Sequence, residues 1–364
     1  MFPEKRDFLR KFLPLTILGT LILIVYLYFF VGIRKIIETL QHTNLLVLFL
    51  GVLLMIIDVA FYALTWQSLL QALSVKAKFK DTFLFTWVSV FVDLIIPLES
   101  VSGDFTKAYL MLNKVNGENG KVVASVVFQR ITFMFTTLAS VLAGFLASTV
   151  FPYTMPVSVS NITLTITLAT SFFLVLLILL SMKRSWTERF VDVGVRFIDY
   201  VSHKRFKKKE LKPKITEFLD AFYNATGSFR RKPKKLLLPF IFASLAWITN
   251  LSVCFTAFAS LGYIVPFSII VIVYSIGITV QYIPIGVPTD VGATEIVMIS
   301  FFSVFVPPDI SAAGTLLTRF LTAWLKLFIG LVIFQWMGVK ALLRKPSKLK
   351  EIQSEKLKLI KPES

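Results

Sequence analysis

Apolar runs of about twenty residues recur along this chain, and they constrain its fold more than any other feature. A helix of about twenty residues spans the ~30 Å hydrocarbon core of a bilayer, where the backbone must satisfy its own hydrogen bonds. Of the 364 residues, 56% are hydrophobic and 16% are charged, with a mean hydropathy of +0.76. Because this composition lies outside the range of soluble globular domains, the sequence predicts an all-α polytopic membrane protein.

The distribution of basic residues indicates how the chain is oriented. In a soluble protein a net charge of +18 would suggest a nucleic-acid partner, but here Lys and Arg concentrate in a few segments between the apolar runs. A basic cluster precedes the run at 12–33, which lacks a small-x-small cleavage site and is expected to be an uncleaved first helix. With a basic tail at 344–364, this predicts a multi-pass cell-membrane protein with both termini cytoplasmic and no nucleic-acid partner.

Six full crossings and one basic segment account for most of the chain. The crossings are predicted at 12–33, 45–70, 122–150, 162–182, 236–261 and 312–343. Segment 183–235 holds sixteen Lys or Arg against six acidic residues, and its apolar residues recur at helical spacing. It is expected to form amphipathic helices at the cytoplasmic surface, either as a solvated loop or in contact with anionic lipid headgroups.

Two further apolar segments are broken by polar tips before they are long enough to cross. Residues 82–97 would form a helix of about 24 Å, shorter than the hydrocarbon core, and a return leg runs to residue 112. Residues 266–284 and 291–306 form the second pair, around a tip at 281–295. A broken backbone at this depth needs protein or trapped water to satisfy it, so we predict two re-entrant hairpins. Their predicted hinges are Pro97, Gly103, Pro284, Gly286, Pro288 and Gly292.

The predicted topology repeats itself within a single transmembrane domain, residues 1–343. A crossing, a hairpin and a second crossing form one repeat at about 45–150, and the same order recurs at about 236–343. Basic residues place the mouth of the first hairpin at the cytoplasm and that of the second outside, so the copies are predicted to be inverted. Inverted repeats with broken segments at mid-depth are typical of alternating-access transporters.

The spacing of four residues agrees with this repeat. Gly103 and Arg130 in the first copy, and Gly292 and Arg319 in the second, lie the same 27 residues apart, with an Ala six residues before each Arg.

Four short motifs carry a resemblance to a known family. They are SGDFTKAYL at 102–110, ASVVFQR at 124–130, the Gly-rich break from 286 to 295, and LLTR at 316–319. In order and spacing the chain resembles the lysylphosphatidylglycerol synthase transmembrane (flippase-like) family over about residues 45–343. Gln129 stands where a Glu commonly precedes the first arginine. Lys107 stands where Arg is usual, which keeps the charge but loses the bidentate guanidinium fork.

The resemblance implies a lipid-related role. Family members with a cytosolic aminoacyl-transferase domain modify phosphatidylglycerol, whereas this chain ends about twenty residues past its last predicted helix. The resemblance therefore implies the membrane domain alone. Such membrane domains are similar to flippases or scramblases for phospholipids or polyprenyl-linked carriers.

Arginines inside predicted crossings could bind a lipid phosphate. A phosphate-bearing lipid needs a cationic path for its headgroup, and Arg130 and Arg319 suit this because guanidinium binds phosphate through a planar fork. The alternative is that each arginine only pairs with a carboxylate of its hairpin: Arg130 with Asp104 or Glu99, and Arg319 with Glu295 or Asp290. Intramembrane acids could also bind protons for coupling. The predicted substrate-binding set is Arg130, Arg319, Glu295, Asp104, Glu99, Lys107, Asp290, Asp93, Asp58, Gln129, Gln281 and Lys326.

No catalytic constellation is apparent in the sequence. The chain has one cysteine and two histidines, and no nucleotide-binding or nucleophile-elbow motif, so no cofactor is predicted. Asp93, Glu99 and Asp104 could hold Mg²⁺ against a phosphate, which leaves open an integral-membrane transferase acting on polyprenyl-phosphate lipids. A partner of a glycosyltransferase or other cell-envelope glycosylation machinery, and a homo-oligomer, also remain open.

Overall fold

Every regular element that can be described in this protein is a helix. The computed structural model describes residues 33–96, 101–115, 119–150, 157–182, 219–220, 222–229, 231, 233–281, 287 and 290–343, with 21, 24, 25, 28, 29 and 184. The helices are α1 Ile33–Gln41, α2 Leu45–Ala72, α3 Phe79–Ile95, α4 Val101–Leu112, α5 Asn119–Val150, α6 Val157–Met182, α7 Leu237–Ser260, α8 Phe267–Gln281, α9 Ala293–Phe302, α10 Pro308–Arg319 and α11 Leu325–Leu343.

Five helical spans among these residues are long and apolar enough to cross a membrane. They are Leu45–Ala72, Asn119–Gly144, Thr163–Leu180, Pro233–Ser260 and Pro308–Gly338. They correspond to five of the six predicted crossings; the sixth, residues 12–33, lies almost entirely outside the described residues. The predicted all-α polytopic membrane class is therefore confirmed.

The arms of the two predicted hairpins are pairs of short, packed helices, and their re-entry into the membrane stays a prediction. α3 packs on α4, and α8 packs on α9. Their lengths of 17, 12, 15 and 10 residues correspond to about 15–26 Å, so each arm is shorter than a ~30 Å hydrocarbon core. Four of the predicted hinges, Pro97, Pro284, Gly286 and Pro288, lie outside the described residues.

Helix packing relates the two predicted repeats. α2 and α7, the first crossing of each repeat, form the most extensive helix pair. The first arm of each hairpin lies against the last crossing of the other repeat, since α3 packs on α11 and α8 on α5. The second arm stays with its own repeat, since α4 packs on α5 and α9 on α10. Each helix contact in the first repeat therefore has a counterpart in the second, as expected for two copies of one fold. The inverted orientation of the copies stays a prediction.

The segment after the first predicted crossing differs from expectation. No helix is predicted between the crossings at 12–33 and 45–70, but residues Ile33–Gln41 form the short helix α1. Ile36 of this helix is buried against Ile299, Ala312 and Ala313, while its charged residues remain exposed. One apolar face docked on α10 therefore stabilises this short helix.

Candidate functional site

Arg130 of α5 forms an ion pair with the first hairpin. Its Nη1 donates to Asp104 Oδ2 of α4 at 3.2 Å. The other carboxylate oxygen of Asp104 accepts from Lys107 Nζ at 2.7 Å, one turn along α4. Of the two acids that the sequence allowed for Arg130, Asp104 is a partner, and Glu99 lies outside the described residues. One carboxylate thus holds two cations between α4 and α5, and we call these three residues the Arg130 cluster.

Lys107 is almost completely buried, and α2 and α5 supply its other partners. Its Nζ donates to Gln129 Oε1 at 2.8 Å, and Gln129 Nε2 in turn donates to the carbonyl of Tyr62 at 2.9 Å. The ammonium also lies 5.2 Å from the ring centroid of Tyr62 and 5.7 Å from that of Trp66. A buried ammonium needs such compensation. The amide at 129 therefore serves Lys107 rather than pairing with Arg130.

Asp93 joins the two arms of the first hairpin. Its Oδ1 accepts from the Ser102 hydroxyl at 2.8 Å and from the backbone N–H of Gly103 at 2.5 Å. The second bond satisfies a backbone N–H in the first turn of α4, where no intrahelical partner exists. A side chain at position 103 would meet the Asp93 carboxylate and would lie 2.5 Å from the carbonyl oxygen of Ser89. The hairpin arms can therefore approach this closely only because residue 103 is glycine.

We expect Gly103→Ala to destabilise the protein by about 1–3 kcal/mol, since the added methyl group must push α3 away from α4. Gly338→Ala is the matched control because a methyl group there meets no atom within 4 Å. Thermal unfolding in detergent measures both variants. Equal midpoints for the two would contradict the close packing at Gly103.

Arg319 of α10 forms the equivalent ion pair with the second hairpin. Its Nε donates to Glu295 Oε1 of α9 at 2.7 Å, and the two side chains are only 4% and 2% exposed. Glu295 Oε2 also accepts from the backbone N–H of Gly292 at 2.9 Å. Gly292 has a φ of 94°, a conformation that glycine adopts without strain. Asp290 is near enough for its charge to interact with both members of the pair. We call Asp290, Glu295 and Arg319 the Arg319 cluster.

The helix that carries Arg319 is irregular directly after it. Residues Phe320–Trp324 form a π-helical turn, a feature often found at functional sites. Two nearby hydroxyls are buried and have no hydrogen-bond partner within the described part of the chain: Thr315, one turn before Arg319, and Thr294, next to Glu295. Burying a hydroxyl without a hydrogen-bond partner is costly. Both hydroxyls are therefore available to bond to a water molecule or a ligand.

A third buried pair joins the two repeats. Asp58 of α2 accepts from Lys326 Nζ of α11 at 2.6 Å and from Asn250 Nδ2 of α7 at 2.9 Å, and both bonds end on its Oδ2. Both members of the ion pair are largely buried, at 8% and 11% exposure of the side chain. Three crossings therefore meet at this carboxylate, which we call the Asp58 cluster.

The structure thus brings most of the predicted residues into direct contact in three groups. Glu99 and the side chain of Gln281 lie outside the described residues. Sequence reasoning missed Asn250, although a lone Asn in an apolar run is itself a signal. It also missed Tyr62 and Trp66, which carry no such signal because aromatic residues are frequent throughout the chain.

Two of the three predicted magnesium ligands have other partners, and the third, Glu99, lies outside the described residues. Asp93 accepts from Ser102 and Gly103, while Asp104 pairs with Lys107 and Arg130. Over the described ranges, no group of three or more His, Cys, Asp or Glu side chains could hold a metal ion.

The fold and these ion pairs define a polytopic α-helical membrane protein with charged side chains buried between its helices. The chain belongs to the family described as "Lysylphosphatidylglycerol synthase TM region", which matches residues 16–330. The resemblance seen in the motifs is therefore confirmed.

Three archaeal relatives are similar over most of their length. A UPF0104 membrane protein of Methanocaldococcus jannaschii is 26% identical, with 86% of this chain and 93% of that protein covered. One of Pyrococcus horikoshii is 23% identical, with 88% and 96% covered. One of Methanothermobacter thermautotrophicus is 23% identical, with 85% and 90% covered.

Proposed function

We propose that this protein moves a phosphate-bearing lipid, such as a phospholipid or a polyprenyl-phosphate carrier, between the two leaflets of the membrane. One observation carries the proposal: each hairpin places a carboxylate against an arginine of the last crossing in its own repeat. Transport sites built from broken segments at a repeat interface have this organisation. The family description also names a protein that acts on a membrane lipid.

The chemistry of these pairs suits a transient phosphate ligand. A guanidinium binds a phosphate and a carboxylate through the same planar arrangement of N–H groups. A lipid phosphate can therefore take the place of Asp104 or Glu295, so the arginine need never be left uncompensated in a low-dielectric site. The ion pairs, in this proposal, are the resting state of the headgroup path.

The two arginine clusters differ in accessibility. Arg130 and Asp104 are 27% and 16% exposed, whereas Arg319 and Glu295 are 4% and 2% exposed. An alternating-access cycle requires this kind of inequality, with one gate open while the other is closed. We propose that the structure corresponds to a state open at the first hairpin and sealed at the second.

Other parts of the proposal concern the surroundings. We place both termini in the cytoplasm of the cell membrane, with segment 183–235 on anionic headgroups. A role beside cell-envelope glycosylation enzymes, or as a homo-oligomer, is compatible with the same path. No specific observation favours the transferase alternative, and a new lipid species after incubation of the pure protein with lipid extract and divalent ions would support it.

The proposal is tested by lipid movement in proteoliposomes. The double variant Glu295→Gln with Arg319→Gln removes the charges but keeps a hydrogen-bonding pair, so we expect it to fold and to lose most of the headgroup translocation. The matched control is Arg34→Gln with Glu38→Gln, which removes an exposed ion pair of the same two residue types on α1. Movement is measured as the fraction of a fluorescent phospholipid or polyprenyl phosphate that becomes accessible to an impermeant quencher.

Three outcomes are informative. Loss of movement in the E295Q/R319Q protein, with normal movement in the control, supports the proposal. Normal movement in both variants contradicts the assigned path. No movement with the unaltered protein for either lipid class contradicts the transport function itself.

A further inference from the structure

A small basic pocket lies at the open end of the first hairpin, apart from the three buried clusters. It is formed where the α2–α3 connection meets the end of α4 and has a volume of about 170 Å³. Its lining includes Lys76, Lys78, Asp81, Met111, Lys114 and Val115. The basic residues around it place this end of the hairpin on the predicted cytoplasmic side.

The charges in this pocket are unequal. Three lysines face one acid, and Asp81 is already engaged in an ion pair with Lys114 that closes the space between the start of α3 and the end of α4. Neither Lys76 nor Lys78 forms an ion pair with any residue that the structure describes. Three lysines that line one small pocket with a single acid give it a net positive charge, so the pocket favours an anionic ligand.

The pocket is held in place by the buried core beneath it. Val75, next to Lys76, is only 1% exposed and belongs to the core cluster around Trp66 and Met111. Gln67 Nε2 donates to the carbonyl of Ala77, between the two lysines, at 3.3 Å. The connection that carries Lys76 and Lys78 is therefore anchored on both sides, which lowers the entropy cost of binding a ligand between them.

Size limits the ligand. Pockets for drug-sized molecules measure about 300–1,000 Å³, so a pocket of 170 Å³ suits a small anionic group better than a whole lipid. Met111 and Val115 add an apolar wall that suits the carbon next to a phosphate ester.

We infer that this pocket is a binding site for a phosphate ester, either the headgroup phosphate of a lipid in the adjacent leaflet or a soluble phosphate ester. Lys76, Lys78 and Lys114 bind the phosphate oxygens, and Asp81 competes with the ligand for Lys114. The site does not depend on lipid translocation, because it lies outside the two arginine clusters.

Binding of dioctanoyl phosphatidylglycerol to the purified full chain in an uncharged detergent, titrated by native mass spectrometry, tests the site. Lys78→Gln is expected to weaken binding about fivefold, the contribution of one basic residue near an anionic headgroup. Lys80→Gln, the matched control two residues along on α3 and outside the lining, is expected to leave binding unchanged. Asp81→Asn removes the competing carboxylate and is expected to tighten binding severalfold.

The remaining arms identify the source of the phosphate. If glycerol 3-phosphate displaces the bound lipid, the ligand is a soluble phosphate ester. If it does not displace the lipid, the ligand is a lipid headgroup. Dioctanoylglycerol, which has no phosphate, is the control and should not bind. Equal affinities for the K78Q and K80Q proteins, or no tightening in the D81N protein, would overturn the inference. Because no transport is measured, failure of the flux experiment leaves this result unaffected.

Discussion

Replacing Arg319 by Gln is expected to destabilise the protein by about 3–5 kcal/mol, the usual cost of leaving a buried charge without its partner. Glu295 is 2% exposed, so water cannot replace the guanidinium. The E295Q/R319Q double variant should recover most of this loss, because two amides can bond to each other without a net charge.

Cys254 provides the measurement. It is the only cysteine of the chain, it is completely buried, and its sulfur lies 3.6 Å from the Thr318 hydroxyl. A thiol-reactive fluorophore therefore reports unfolding as temperature rises. We expect the R319Q protein to react at a much lower temperature than the unaltered protein, and the exposed control Arg34→Gln to behave normally. A double variant as unstable as the single one would contradict a specific Arg319–Glu295 pairing.

Lys326→Met is expected to have a comparable effect, because it leaves Asp58 buried with only Asn250 as a partner. The predicted loss is again about 3–5 kcal/mol, and the double variant Asp58→Asn with Lys326→Met should be much closer to normal. Since Asp58 and Lys326 lie in different predicted repeats, the variant tests whether this ion pair holds the repeats together. The same thiol-exposure measurement applies, with Lys35→Met on α1 as the exposed control.

The flux of the D58N/K326M protein then separates two roles for the Asp58 cluster. A folded double variant with normal lipid movement assigns this cluster to helix packing alone. If the double variant folds but no longer moves lipid, the Asp58 cluster belongs to the transport path or takes part in proton coupling. A single Lys326→Met protein of normal stability would contradict the buried ion pair itself.

Much of the fold could be predicted from the sequence because the relevant signals are local. The length of each apolar run distinguishes crossings such as Leu45–Ala72 from short arms such as Ala293–Phe302, and helix rise alone gives that comparison. No helix was predicted at Ile33–Gln41, although Ile36 and Leu40 recur at helical spacing; the sequence does not show that this face packs on α10.

The candidate site could be predicted only as a set of residue types. Ionisable residues in apolar segments are costly and therefore recognisable in a sequence, which is how Asp58, Arg130 and Arg319 were identified. The sequence could not choose the partners of the two arginines. Asp104 and Glu99 are equally suitable for the first by charge and proximity in the chain, and Glu295 and Asp290 for the second.

The sequence by itself therefore determined that the chain lies in a membrane, where its helices are interrupted, and which charged residues need compensation there. Only the tertiary structure decided which residues compensate them: Glu295 for Arg319, Gln129 and Tyr62 for Lys107, and Lys326, 268 residues away, for Asp58. The physical reason is that lipid and protein interior are equally apolar. Hydrophobic patterning consequently cannot tell a lipid-facing side of a helix from a buried one, and helix rotation, which selects the ion pairs, is set only by packing.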